Sequence, residues 1–134
     1  MREIKFRAYH KKKKKMFNWF EVRRMPLFRL EIEKSIGFIF MQYTGLLDKR
    51  GKEIYEGDLL KETYPAGYSI HEVCFGEYDN GKNYEDRTNG NGWYSKEHRH
   101  WPEYKLDIVN IEDINGNEII GNRFENPELL KGGK

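Results

Sequence analysis

Apolar and polar residues alternate with a period of two along much of the chain, the mark of strands with one face in a core and the other in solvent. Ile4, Phe6 and Ala8 alternate with Lys5 and Arg7; a lysine run interrupts them, and Phe17, Trp19, Phe20 and Val22 follow as a second strand-like run. The pair predicts an N-terminal hairpin with a lysine tip. After Pro26, Phe28, Leu30 and Ile32 alternate with Arg29, Glu31 and Glu33 as a third strand, and Ser35 to Gly37 turn the chain. Phe38 to Tyr43 is apolar nearly throughout, which predicts a central strand covered on both faces.

The next stretch, "TGLLDKRGKEIYEGDLL" from Thr44 to Leu60, has scarcely a helical period. Asp48 to Gly51 reads as a four-residue turn, with Asp at the first position and Gly at the last, and Lys52 to Tyr55 pairs back. Gly57 supplies backbone freedom at a bend, and Asp58 is placed to bond nearby backbone N–H groups. Leu59 to Tyr64 is then a strand, Pro65 to Gly67 a reversal, and Tyr68 to Phe75 a strand with His71, Val73 and Phe75 on one face.

From Glu77 to Gly92 the composition shifts to Asp, Asn, Gly and Lys and predicts a loop. Pro102 argues against an interior strand in Gly92 to Tyr104. Ile108, Val109 and Ile111 resume the β pattern, and Asn115 to Asn117 turn into Glu118, Ile119 and Ile120. In the tail, Asn126 caps a short helical turn, Pro127 takes its first position, Glu128 meets its positive end and Gly132 stops it. These elements predict one mainly β domain over residues 1–134, a strongly bent, barrel-like antiparallel sheet with an N-terminal hairpin and a short C-terminal helical turn.

Composition alters this picture in two places. Aromatic residues make up 15% of the 134 residues and charged residues 34%, so the core rests on a few large rings. The net charge of +2 hides a split: Met1 to Met25 hold ten Lys/Arg and two Glu, a charge of +8, and the remainder carries −6. Such a dipole favours seating the basic segment on its own domain, on a neighbouring subunit or on an acidic partner. No run approaches the roughly 18 apolar residues of a membrane span, and no apolar signal core follows the basic start. Cys74 is the single cysteine, so no internal disulfide is possible; a cytoplasmic protein is expected.

Three segments in order, "MREIKFRAY", "MQYTGLLDKRGKEIYEGDLL" and "IIGNRFENPELL", resemble the YopX family of small proteins encoded largely in bacteriophages and prophages. The resemblance implies bent and coiled sheets, oligomeric assembly in at least some members, no established activity and no catalytic residues to carry over. Gly76 to Trp101 departs from the family pattern, and a function special to this chain would fit there.

Candidate chemistry is sparse. Lys11, Lys12, Lys13, Lys14 and Lys15 with Arg23 and Arg24, beside Trp19, combine charge with rings on which bases stack, as single-strand binders do. The competing reading is a solvated edge or subunit-facing arm. Glu53, Glu56 and Asp58 invite comparison with a metal-dependent hydrolase, yet Glu56 and Asp58 flank a glycine in a turn, where Asp48, Gly51, Gly57 and Asp58 serve geometry. His71, Cys74, His98 and His100 are the soft-ligand residues; His98 and His100 share a side of an extended strand, whereas His71 and Cys74 fall on opposite faces, so no metal and no cofactor are expected. The expectation is a non-enzymatic phage or prophage accessory protein acting by binding and homo-oligomeric assembly, its protein partner unidentified, with nucleic-acid binding as the alternative and a metal-dependent hydrolase at the acidic turn ranked last.

Overall fold

The computed structural model describes residues 3–26, 37–65, 67–79, 89–99, 105–110 and 117–131. Among these described residues are nine strands, one short α-helix and a 3-10 turn. The strands are β1 (Phe6–His10), β2 (Lys15–Phe17), β3 (Phe38–Leu47), β4 (Glu53–Tyr55), β5 (Asp58–Tyr64), β6 (Gly67–Asp79), β7 (Asn89–Arg99), β8 (Lys105–Asn110) and β9 (Glu118–Asn122); α1 is Trp19–Val22. They form two antiparallel sheets, in the orders β2-β1-β3-β4 and β8-β7-β6-β5-β9. The fold is mainly β, as the alternation predicts, and one sheet curls into a half-barrel.

The lysine run makes the β1–β2 turn, with Lys14 at a positive φ of 51° and Lys13 N–H donating to His10 Nδ1. Beyond Phe17 the predicted second strand gives way to α1. Asn18 Oδ1 accepts the Glu21 N–H and Glu21 Oε1 accepts the Asn18 N–H, a reciprocal cap that satisfies two backbone donors and starts a helical turn. Val22 on that turn packs with Ala8 and Phe38 in the core of the first sheet, joined by Phe17, Trp19, Met25 and Phe40. The predicted strand from Phe28 to Ile32 lies outside the described residues, as does Gly132.

β3 is an inner strand between β1 and β4, as its apolar run requires, and its register with β4 shifts between Tyr43 and Leu47. Asp48 then closes the turn: one carboxylate oxygen accepts the N–H groups of Arg50 and Lys52, and the other reaches the Ile119 N–H on β9. Gly51 in that turn has φ +82°. Ile54 on β4 leaves its own sheet to pack with Leu60 and Val73, so the second core is plugged from the first sheet; Leu46, Trp93 and Ile119 surround it.

Two predicted boundaries move. β6 runs on to Asp79 and β7 begins at Asn89, so both ends of the expected Glu77–Gly92 loop are paired strand. Backbone pairing continues there without an apolar pattern to announce it. β7 is an interior strand between β6 and β8, against the expectation from Pro102, because it ends at Arg99. At the C-terminus Pro127–Leu130 forms the expected turn as a 3-10 helix, but Asn126 does not cap it with its side chain. Its Oδ1 accepts the Asn122 N–H instead, packed so closely over Gly121 that a Cβ there would meet it at 2.4 Å.

Candidate functional site

The acidic turn holds the carboxylates that hydrolytic chemistry would use. Asp58 is buried: one oxygen accepts the Tyr55 N–H at 2.8 Å and the other pairs with Arg7 of β1 at 2.8 Å. Burial pushes the Asp58 carboxyl up, and the Arg7 guanidinium and the Tyr55 N–H work against that. Arg7 also donates to the Glu56 carbonyl and lies over the Tyr55 ring, so one arginine ties β1 to the turn that opens β5. Gly57, at φ +89°, sits where a Cβ would lie 3.2 Å from Met41 Sδ. Burial alone would raise Asp48 too, but the N–H groups of Lys52, Ile119 and Arg50 outweigh it and hold its carboxyl below the ordinary range. Both aspartates therefore spend their lone pairs on the fold. Arg7 was the partner that sequence spacing could not supply.

Beside this junction lies a cleft of about 890 Å³ between α1, the first sheet and β9. Trp19, Phe20 and Arg23 line one side, and Lys52, Tyr55 and Asn122 line the other. Arg23 lies over the Phe20 ring, which is 61% exposed. Lys5, on the cleft wall, is held between Glu3 and Glu53, which keep its ammonium well above the usual lysine range. The basic residues singled out in the sequence are thus divided. Trp19 and Arg23 face the cleft, whereas the exposed Lys11, Lys12, Lys13 and Lys14 and the exposed Arg24 are not among its lining residues. Lys15 reaches Glu21 at 3.5 Å and covers the Phe17 ring.

The soft-ligand residues are divided as well, by strand alternation. On one face of the second sheet, His71 Nε2 lies 3.1 Å from Glu62 Oε1; on the other, His98 Nε2 lies 3.3 Å from Glu72 Oε1. Cys74, buried beside Glu72, donates to the Glu72 carbonyl, and burial pushes its thiol up to about 11, which makes it a poor nucleophile. His100 lies outside the described residues. The true neighbours of the histidines are glutamates on adjacent strands, Glu62, Glu72 and Glu97, which the sequence reading left aside. The β6–β7 pairing was the signal that could have found one of them, since it sets His71 opposite Glu97.

The model of the YopX protein family matches residues 20–131, most of the described fold and both turn-forming aspartates. The chain belongs to the YopX family. Among solved structures, this YopX chain is similar to protein EF1440 from Enterococcus faecalis, with 25% sequence identity and a TM-score of 0.54, over 98% of this chain and 100% of that one. No curated protein matches significantly. No helix among the described residues is long and apolar enough to cross a membrane.

Proposed function

We propose that this YopX protein is a phage or prophage accessory protein that acts by binding, and that it self-associates through the face around its N-terminal cleft. The observation that carries this reading is the cleft rim: Phe20 is 61% exposed and Ile4, beside the cleft-lining Glu3 and Lys5, is 67% exposed. Large apolar side chains gathered at the mouth of a concavity mark contact surfaces more than isolated ones do. The charge split supports self-association in general, because a +8 segment on one copy attracts a −6 remainder on the next. Light scattering at micromolar protein is expected to give a mass above that of one chain at low salt, with a shift toward monomer when Phe20 is replaced by Glu. A monomer at every salt concentration would contradict the reading.

A second reading rests on the exposed lysine tip. Lys11 to Lys14 form a solvent-facing β-turn, with the exposed Arg23 and Arg24 after α1 as further cations. A single strand tracking these charges would bind with an affinity that falls steeply with salt, as counterions are released. Fluorescence anisotropy with a labelled single strand tests it; no binding at low salt, or binding unchanged when the lysines become Ala, ends it.

A further inference from the structure

Glu62 on β5, His71 on β6 and Glu97 on β7 each offer a ligand atom, and these atoms all lie within 4.8 Å of one another. The register explains the meeting. His71 is the partner of Glu97 across the β6–β7 pair and of Leu60 across the β5–β6 pair, and Glu62 is two residues on from Leu60 and so on the same face. Three adjacent strands therefore hold one side chain each, on a sheet whose backbone pairing leaves little freedom to their Cα positions. The cluster sits directly beyond the apolar plug of Ile54, Leu60 and Val73. His71 and Glu97 are buried at 4% and 6% exposure, whereas the Glu62 side chain is 39% exposed and forms the opening to solvent.

From this arrangement we propose that Glu62, His71 and Glu97 bind a divalent transition-metal ion, with Zn²⁺ the best match to one imidazole and two carboxylates. Charge argues for it. Two carboxylates and one imidazole converging on one point attract a divalent cation and supply ligand atoms of the types it takes. Imidazole disfavours Mg²⁺ and Ca²⁺, which take oxygen ligands, and suits Zn²⁺. Tetrahedral zinc bonds of about 2.0–2.2 Å set ligand atoms about 3.3–3.6 Å apart, so the three, now within 4.8 Å of one another, draw in by at most roughly 1.5 Å on binding. Glu62, half in solvent, is free to make that adjustment. Tyr64 Oη approaches Glu97 Oε1 at 3.4 Å, the kind of outer hydrogen bond that orients a ligating carboxylate.

A second observation points to the same face. Among the described residues, five buried side-chain polar atoms lack a partner, and two of them, Ser69 Oγ and His71 Nδ1, belong to this cluster and the strand position beside it. Ser69 is fully buried and is the register partner of Glu62. Buried polar groups are nearly always satisfied, so an unpartnered buried hydroxyl beside converging ligands is what a polar, ligand-holding pocket presents.

The test is isothermal titration of the metal-stripped full chain with Zn²⁺ near neutral pH, with thermal unfolding followed alongside. The wild type is expected to take one equivalent and to unfold at higher temperature with metal than with chelator. Glu62→Gln, a half-exposed change, is expected to keep the metal-free unfolding temperature and to weaken Zn²⁺ binding at least tenfold. His71→Gln is expected to abolish binding, and its folded state is checked by circular dichroism. No heat of binding in the wild type would overturn the proposal, and so would a Glu62→Gln protein that binds as tightly as the wild type, since the ion would then sit elsewhere.

Discussion

His71 and Glu72 are neighbours in sequence and face opposite sides of one sheet, and the charged groups around them differ. Behind Glu72, the acid meets His98 at 3.3 Å and Arg123 at 3.6 Å. There, the hydrogen bond from His98 outweighs the burial that opposes it, the positive charges of Lys96, His98 and Arg123 add to it, and together they hold the Glu72 carboxyl below the ordinary range. Around His71 the proportion is reversed, with two acids converging on one imidazole. On one face the acid is held by a histidine and an arginine, and on the other two acids and a histidine converge as the proposed zinc site.

Removing an acid from a balanced pair is the sharpest way to probe this contrast. Asp58 belongs with Glu72, since it too is matched to an arginine. Asp58→Ala strands the Arg7 guanidinium in the junction between the sheets and should cost about 3 kcal/mol in chemical denaturation. Glu72→Ala, in a less buried pair, should cost about 2 kcal/mol. Glu62→Ala, measured without metal, should stay within about 0.5 kcal/mol of the wild type because it relieves repulsion as it removes a contact. If Glu62→Ala proves as damaging as Glu72→Ala, the two faces are equivalent and the distinction fails.

The smallest effect is on the acid limb of stability. A carboxyl held below its unfolded value contributes stability that is fully present above about pH 5 and is lost as pH falls through the folded value. Glu72 and Asp48 are both of this kind. The slope of unfolding temperature against pH below about pH 4 should therefore flatten in Glu72→Gln and in Asp48→Asn. An unchanged slope in both would remove the electrostatic basis of the comparison.

Most strands were legible from alternation because one face of each meets a core. The Asp48–Gly51 turn and the start of β3 at Phe38 emerged as observed, since an apolar block and an Asp–Gly turn each have few alternatives, but β3 runs past the expected end at Tyr43 to Leu47. α1 was hidden because Phe17, Trp19 and Phe20 read as a strand, although Asn18 and Glu21 spell a capping box at the right spacing. The polar ends of β6 and β7 carry no hydrophobic signal, so composition alone makes them a loop. The histidine cluster was hidden for a different reason. His71 and Glu97 are 26 positions apart and meet only through strand register, which no local spacing records, so the histidines were grouped with Cys74 and not with the glutamates.

An anomalous difference map at the zinc edge, from a crystal soaked in Zn²⁺, tests the separation of the two faces most directly. A peak enclosed by the side chains of Glu62, His71 and Glu97, with none at His98 and Glu72, is the predicted result. Density for zinc on the Glu72 side, or on neither, would contradict it.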